Sequence, residues 1–231
     1  MKTNISDDNI SNSHDHGLDL NQLSIYLVGS RVYSGGTGVD DPSEAGVEHI
    51  MVTEFIKNLH LCMKYGGTGK KSNPYLPILI HMKTCGGDVV EGMAVYDAIK
   101  TCPNPIIILN YTHARSMSSM ILQAGAKRVM MPHSYFMFHE GDGCISGTEK
   151  QIRSSQRFYD RYNTIMLDIY CSSMKKKGIF KDKNKSEIKK WLVNQMNLKE
   201  DVYVSAQRSV ELGFADEIFD GNWKKLREVT K

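Results

Sequence analysis

The feature that most constrains the fold is an alternation of short apolar runs and helical segments between residues 77 and 139. The runs over 77–82, 105–109 and 135–138 are short and mostly aliphatic or aromatic, as in strands buried on both faces. Between the first two runs, residues 88–100 carry apolar side chains at helical spacing. Strands that alternate with helices indicate parallel pairing with right-handed crossovers, so the sequence predicts an α/β fold.

Chemically useful residues lie at the ends of these predicted elements. Gly86 and Gly87 follow the first run. Ser116 begins a helix of small residues, and His139 follows the third run. Because catalytic groups in α/β folds usually lie where strands end, the sequence predicts a functional site at these corners.

A serine nucleophile needs a base that takes its proton, a group that orients the base, and hydrogen-bond donors for the oxyanion. Ser116 stands at a helix start, where the helix dipole favours negative charge. The N–H groups of Met117 and Gly87 can serve as donors, since no side chain on glycine blocks the approach. His139 supplies a base, and an acid near Asp201 completes the set.

Each of these residue types also has an ordinary structural interpretation. A serine at a helix start is commonly a cap, a histidine after a strand is commonly a surface residue, and a Gly-Gly pair is commonly a turn. The residues alone therefore leave the choice between catalysis and structure open.

Composition limits the class of protein. The 231 residues suffice for one large domain, and a net charge of +3 indicates no strongly charged partner. Five cysteines occur without a Cys-x-x-Cys pair, which argues against a disulfide framework or a zinc site and favours reduced thiols. We expect neither a metal nor a cofactor.

The sequence contains no pattern typical of a membrane helix or a signal peptide, and one stretch is rich in lysine. No apolar run approaches the roughly 20 residues of a membrane helix, and the polar N-terminus lacks a signal-peptide core. We therefore expect no membrane association and a cytoplasmic location, or an organelle stroma or matrix if the source is eukaryotic. Residues 175–190 are rich in lysine without flanking aromatics, so we expect a solvated surface and no nucleic-acid partner.

Helical periodicity extends beyond the central stretch. A helix is predicted from about residue 44 to residue 63, and a long one over 148–174 with Thr148 as its cap. Ser205 is predicted to cap a further helix that ends at Gly213.

Four blocks of the sequence match the motifs of one family in the same order. Residues 83–97 look like an Asn-Ser-Pro-Gly-Gly corner followed by a Gly-Met-x-Ile-Tyr-Asp helix. Residues 114–126 look like an Ala-Ala-Ser-Met-Gly-Ala block, and residues 131–140 look like Leu-Pro-Asn-Ser-x-x-Met-Ile-His-Gln. Residues 200–216 look like Arg-Asp-x-Phe-Leu-Ser-Ala-x-Glu-Ala-x-x-Tyr-Gly-Leu-Val-Asp. On these motifs the chain resembles the ClpP family, the proteolytic subunits of Clp proteases, from about residue 23 to 219.

The resemblance implies roles for individual residues. Ser116 aligns with the family's nucleophile, His139 with its general base, and Asp201 with the acid that orients the base. Gly87 and Met117 align with the oxyanion-hole donors. The implied fold is the ClpP/crotonase-type αβ spiral, in which the predicted long helix projects as a handle.

The polar composition of the N-terminus and the resemblance together give the expected domain organisation. A flexible polar arm, a peptidase domain and a C-terminal tail are expected over residues 1–20, 21–223 and 224–231. Insertions relative to the family are expected near residues 30–46, 66–73 and 175–190.

An activity and an assembly follow from the same resemblance. In the family, the handles of two seven-membered rings interdigitate around a chamber in which polypeptides are cleaved through an acyl-enzyme. The resemblance implies a serine endopeptidase acting on polypeptide substrates inside a homo-oligomer of heptameric rings. It also implies an AAA+ unfoldase, the Clp ATPase, as the partner that supplies substrate.

The chain departs from the family's motifs beside the expected site. Cys85 replaces a proline, and Arg115 replaces a small residue before the nucleophile. Ser118 and Ser119 replace a Gly-Ala pair, and Glu140 replaces a glutamine. The altered flanks keep open a catalytically silent ring subunit. The family's apolar N-terminal segment is not recognisable in residues 1–20, which together with the insertions keeps open a phage-type protease without an ATPase. A similar fold and oxyanion hole keep open an acyl-CoA enzyme of the crotonase type.

Overall fold

Helices and strands alternate along the chain in the computed structural model, which describes residues 7–28, 46–141 and 145–229. Within these ranges the helices run over Asp7–His16 (α1), His49–Tyr65 (α2), Val89–Thr101 (α3), Met117–Ala124 (α4), Glu149–Lys176 (α5), Lys185–Lys199 (α6), Ala206–Leu212 (α7) and Trp223–Leu226 (α8). The strands in the same ranges run over Leu18–Asp19 (β1), Ser24–Val28 (β2), Ile78–Thr84 (β3), Ile106–Arg115 (β4), Lys127–Met130 (β5), Tyr135–Phe138 (β6), Val202–Ser205 (β7) and Glu217–Ile218 (β8).

The eight described strands join one mostly parallel sheet, whose central strands β3 and β4 are buried on both faces. The strand order is β1-β2-β3-β4-β5-β8, with β1 antiparallel to β2 and each later pair parallel. Side chains alternate along each strand, so Ile80 and Ile108 belong to the larger core, which α2 to α5 cover. Leu79 and Ile107 belong to a smaller core on the other face with Leu226 of α8. The predicted α/β fold with parallel strands is confirmed.

Strand β4 has two successive neighbours on one side. Its residues 107–110 pair with β5, and its residues 113–115 pair with β6. Strand β7 then pairs antiparallel with β6. The ends of β4 and β6 and the start of β7 consequently lie together at one edge of the sheet, close to the end of β3.

Helix α2 begins later than the periodicity predicts. Val47 is extended, because its N–H donates to the Gly86 carbonyl at 2.6 Å and its carbonyl accepts the Asp88 N–H at 3.0 Å. Glu48 then caps the helix, and its carboxylate accepts two N–H groups of the first turn. The predicted start near residue 44 is wrong because a tertiary bridge and a carboxylate cap override the apolar pattern.

The caps predicted for α5 and α7 are confirmed. Thr148 caps α5 in a capping box with Gln151, and Ser205 caps α7. Gly213 ends α7 in the left-handed conformation. The first half of α5 is largely exposed, whereas most side chains of residues 166–174 are buried, as expected of a projecting helix. Neither α5 nor another helix in the described ranges is long and apolar enough to cross a membrane.

The chain near the N-terminus packs on the sheet. Residues 7–19 of the expected arm form α1 and β1, and Leu18 is 5% exposed and pairs with Ile25 of β2. The buried side chain of Leu18 therefore helps to hold β1 against β2. Residues 1–6, and residues 30–45 of an expected insertion, lie outside the described residues.

Two other expected insertions are described. Residues 66–73 form a turn closed by a bridge between Lys70 and Asn73. Residues 175–190 contain the end of α5, a short connection and the start of α6. Their status as insertions stays a prediction.

One lysine holds the C-terminal segment. Lys127 of β5 donates through Nζ to the carbonyls of Lys225, Leu226 and Glu228, each at 3.1 Å. A lysine ammonium stabilises the unpaired carbonyls at the end of a helix. Residues 224–229, expected as a tail, therefore pack against β5.

Candidate active site

Strand pairing brings the expected site residues to one edge of the sheet. Strands β4 and β6 are parallel neighbours, and Ser116 and His139 each directly follow one of them. Strand β7 runs antiparallel to β6 and begins directly after Asp201. Because the carboxyl ends of two parallel strands meet the amino end of an antiparallel one, the register places these three residues together.

The three side chains form a hydrogen-bonded chain. His139 Nε2 lies 2.9 Å from Ser116 Oγ, and His139 Nδ1 lies 3.1 Å from Asp201 Oδ1. A carboxylate accepts hydrogen bonds, so Nδ1 carries the hydrogen and Nε2 accepts the Ser116 hydroxyl. The side chain of His139 is 16% exposed and that of Asp201 is 45% exposed, so the base is sheltered while the acid meets solvent. This arrangement can accept the proton of Ser116.

Ser116 occupies a strained turn between β4 and α4. Its φ is +50° and its ψ is −129°, a conformation that residues other than glycine seldom adopt. Its side chain makes no capping hydrogen bond, so the interpretation of Ser116 as a helix cap is wrong. The turn instead presents the hydroxyl to His139, and strained turns between a strand and a helix present nucleophiles in this way.

Two neighbouring serines hold this turn. Ser118 Oγ accepts the Arg115 N–H at 2.9 Å and donates to the Arg115 carbonyl at 2.7 Å. Ser119 Oγ donates to the Ser116 carbonyl at 2.5 Å and contacts the hydroxyl of Tyr170 in α5, also at 2.5 Å. Ser119 and Tyr170 are fully buried. The sequence does not reveal the contact between Ser119 and Tyr170, because partners 51 positions apart leave no local pattern.

The glycine corner after β3 packs against the same turn. A Cβ on Gly86 would lie 2.7 Å from the Arg115 carbonyl, 2.8 Å from Ser116 Cβ and 2.9 Å from Met117 N. The φ of Gly86 is +100° and that of Gly87 is +143°, both in the region that favours glycine. The corner therefore approaches the Ser116 backbone more closely than a residue with a side chain permits.

The N–H groups of Gly87 and Met117 lie at this corner. Met117 is the first residue of α4, and the first N–H groups of a helix lack acceptors within it. Neither N–H donates to a backbone carbonyl in the part of the chain that the structure describes. The Met117 side chain packs against Gly92 of α3, where a Cβ would collide with it. This packing fixes the start of α4, and the use of the two N–H groups as oxyanion donors stays a prediction.

A cavity of about 410 Å³ adjoins the base and the acid. His139, Glu140 and Asp201 line it together with the end of α6. Glu200 ends α6 with a φ of +60°, and its N–H donates to the Met196 carbonyl at 2.7 Å. This sharp turn delivers Asp201 to the cavity wall. Among the described residues, no group of His, Cys, Asp or Glu side chains is arranged to hold a metal ion.

Arg115, the bulky residue before Ser116, reaches the neighbouring corner. Its Nε donates to the Cys85 carbonyl at 3.3 Å. The side chain therefore links the end of β4 to the chain that follows β3. An effect of Arg115 on substrate preference stays a prediction.

Comparison with known families decides where the chain belongs. A model of the Clp protease family matches residues 68–222, more than half of the chain. The chain belongs to the Clp protease family. The expected family and the expected Clp-type α/β fold are thereby confirmed.

Curated relatives of this Clp-family chain carry the same family name. It is 30% identical over 145 residues to the ATP-dependent Clp protease proteolytic subunit 2 of Thermobifida fusca (strain YX), a match covering 61% of this chain and 64% of the relative. It is 29% identical over 193 residues to the ATP-dependent Clp protease proteolytic subunit 2 of Prochlorococcus marinus (strain MIT 9312), covering 78% of this chain and 85% of the relative. The chain thus spans somewhat less than two thirds of the Thermobifida relative.

Proposed function

We propose that this chain is a serine endopeptidase of the Clp type, with Ser116 as nucleophile, His139 as general base and Asp201 as the acid that orients the base. The observation that carries the proposal is the continuous contact among the three side chains, at 2.9 Å and 3.1 Å. A nucleophile within hydrogen-bond reach of a base that a third group orients is the geometric mark of this chemistry. The names of the relatives, proteolytic subunits, agree with it.

In the acylation step, Ser116 Oγ attacks the carbonyl carbon of the peptide bond while its proton passes to His139 Nε2. The carbonyl oxygen becomes an oxyanion, which the N–H groups of Gly87 and Met117 stabilise. The C–N bond then breaks, His139 gives the proton to the leaving amine, and an ester on Ser116 remains.

In the deacylation step, water attacks the ester carbon and gives a proton to His139. Ser116 Oγ leaves the second tetrahedral intermediate and takes this proton back, which releases the carboxylic acid product. Asp201 accepts the Nδ1 hydrogen bond of His139 throughout and stabilises the imidazolium that forms in each step. The cycle needs no metal and no cofactor.

The assembly and partner that we propose follow the relatives. Their names call them ATP-dependent, so we propose that this chain forms a homo-oligomeric ring, heptameric as in the family, supplied with polypeptides by an AAA+ unfoldase. Apolar side chains on the exposed half of α5 support association, since Ile152, Phe158 and Tyr159 are each 40–42% exposed. A cytoplasmic location accords with this proposal.

The test of the nucleophile uses a fluorophosphonate probe and peptide hydrolysis. Ser116→Ala should abolish both labelling and turnover, because it removes the hydroxyl that contacts His139. Ser172→Ala, on the exposed surface of α5, is the matched control and should label like the parent. Labelling of the Ser116→Ala protein at the parent rate would show that the nucleophile is misassigned.

Further measurements separate the proposal from its alternatives. Light scattering gives the mass of the assembly, and an intact ring without turnover would favour a silent subunit. A pull-down with a purified AAA+ unfoldase tests the partner. Degradation of a folded protein without an unfoldase or ATP would favour a protease that acts alone.

A further inference from the structure

A chain of hydroxyl groups connects α5 to the peptide group that follows Ser116. Tyr170 of α5 is fully buried, and its hydroxyl lies 2.5 Å from Ser119 Oγ. Ser119 Oγ lies 2.5 Å from the Ser116 carbonyl oxygen, which also accepts the Ser119 N–H at 3.0 Å. A continuous path of hydrogen bonds therefore runs from a buried helix residue to the backbone of the proposed nucleophile.

The hydrogens along this path point one way. A carbonyl oxygen only accepts, so the Ser119 hydroxyl donates to Ser116. The Ser119 oxygen is then free to accept the hydrogen of Tyr170. Burial raises the pKa of the Tyr170 phenol above its ordinary value, so the phenol stays protonated and donates. Tyr170 thus donates to Ser119, and Ser119 donates to Ser116.

The Ser116 carbonyl and the Met117 N–H belong to the same peptide group. Such a group is planar and trans, so the direction of the carbonyl fixes the direction of the N–H on its other side. Ser116 holds a backbone conformation that L residues seldom adopt, and such conformations persist only when their surroundings hold them. The hydroxyl of Ser119 is one of the groups that hold this peptide.

We propose that Ser119 and Tyr170 are positioning residues that hold the Ser116–Met117 peptide with its N–H directed at the oxyanion. The inference rests on the proposed function, in which Met117 is an oxyanion donor. Both hydroxyls act through the peptide group of the turn, on the side away from the N–H. Their removal is expected to act on the transition state, because the donor bond strengthens as the oxyanion forms.

Three variants test the proposal: Ser119→Ala, Tyr170→Phe, and the two combined. Ser119→Ala leaves the buried Tyr170 hydroxyl without its acceptor, so its unfolding midpoint in urea should fall. The combined variant removes both hydroxyls and should recover much of that stability. Its kcat should nevertheless stay about tenfold below the parent value with KM little changed, because the carbonyl has lost its side-chain donor.

Tyr65→Phe is the matched control, since it removes a phenol hydroxyl from an exposed position at the end of α2. It should match the parent in unfolding and in turnover. Kinetics are compared well below the lowest unfolding midpoint, so that every variant is folded when assayed.

The outcomes separate the two proposals. If the combined variant regains the parent kcat together with its stability, the hydroxyls are merely structural and the positioning role is overturned. Parent-level kcat in Ser119→Ala would overturn it as well. If the parent itself neither hydrolyses peptides nor labels at Ser116, the proposed function is overturned, and this inference falls with it.

Discussion

Arg128 of β5 holds Asp216 through both oxygens of its carboxylate. The guanidinium donates to Oδ2 at 3.0 Å and to Oδ1 at 2.8 Å, and the Arg128 backbone N–H donates to Oδ2 at 2.8 Å. The Arg128 side chain is 6% exposed, and its Nη1 also donates to the Gly213 carbonyl and to Gln123 Oε1. The pair therefore fastens the chain that follows α7 to the central sheet.

The stability that Asp216 supplies should depend on pH. Burial alone would raise the pKa of the Asp216 carboxyl, but the hydrogen bonds and the charge of Arg128 outweigh burial and lower the pKa. The contribution is therefore present above the ordinary carboxyl pKa of about 4 and is lost as pH falls through the lower folded-state value. We expect Asp216→Asn to reduce the free energy of unfolding by about 3 kcal/mol at pH 7, because one partner of a buried pair is removed.

Urea unfolding at pH 7 and at acidic pH measures the difference in unfolding free energy between the parent and Asp216→Asn. This difference should shrink below about pH 4. Asp220→Asn is the matched control, since Asp220 pairs with Lys225 on the surface, and it should change stability little. An equal loss for Asp216→Asn at both pH values would contradict the assignment.

His81 should destabilise the fold in mild acid. It is 8% exposed, it stacks on Tyr26 with ring centroids 4.5 Å apart, and its Nδ1 lies 2.9 Å from the Tyr111 hydroxyl. Burial and then the charge of Arg227 lower its pKa from 6.5 to about 4. The unfolded chain therefore binds this proton first, and stability falls as pH drops from 6.5 towards 4.

The substitution His81→Phe keeps a ring in the stack and removes the titrating group. Between neutral pH and pH ~4, we expect the variant to lose about 3 kcal/mol less unfolding free energy than the parent loses. Unfolding free energies of parent and variant across this range provide the measurement. A variant that loses stability as steeply as the parent would refute the role of His81.

Asp201→Asn should reduce turnover far more than stability. The amide of Asn can donate to His139 Nδ1, which favours the tautomer with its hydrogen on Nε2, and that tautomer cannot accept the Ser116 proton. We expect kcat to fall ~10⁴-fold. The Asp201 side chain is 45% exposed, so the unfolding midpoint should change little.

Peptide turnover and thermal unfolding check this prediction together. Asp168→Asn, which removes the carboxylate that pairs with Lys185, serves as the control and should keep the parent kcat. A kcat for Asp201→Asn within tenfold of the parent would speak against Asp201 as the orienting acid.

Gly86→Ala should damage both the fold and the site. The added Cβ would lie under 3 Å from the Arg115 carbonyl oxygen, from Ser116 Cβ and from the Met117 nitrogen, and positive φ adds strain. We expect a loss of stability of about 3 kcal/mol, from overpacking and from the left-handed conformation together. We expect turnover to fall about a hundredfold, since small displacements at a reacting centre are costly.

Gly221→Ala isolates the conformational part of that effect. Gly221 has a φ of +89° and open space where a Cβ would lie. The Gly221→Ala variant should lose only about 1 kcal/mol of stability and keep full turnover. Similar turnover in the two variants would show that the close contact at Gly86 is unimportant.

The sequence predicts those parts of the fold that local patterns encode. Strands β3 and β4 are buried on both faces, and such strands leave apolar runs that are visible without coordinates. Because parallel strands end at a common edge, Ser116 and His139 could be expected near each other. The sequence predicts Thr148 and Ser205 as caps, because the signal for a cap lies within its own helix.

The remaining features depend on contacts between distant parts of the chain. Val47 looks like helix in the apolar pattern, yet a bridge to the glycine corner keeps it extended. The hydroxyl of Ser119 meets that of Tyr170 only once α4 and α5 pack together. The positive φ of Ser116 also leaves no trace in residue types, since serine at a helix start normally signals a cap.

Strand β4 is paired first with β5 and then with β6, and this fixes how many residues it must contain. Deleting one residue between the two partners would slide Ser116 by about 3.3 Å along β6 and turn its side chain to the opposite face. No rotamer change restores contact with His139 after such a slip. A single deletion within β4 would therefore separate the Ser116 hydroxyl from the His139 imidazole. Surface loops, in contrast, tolerate changes of length.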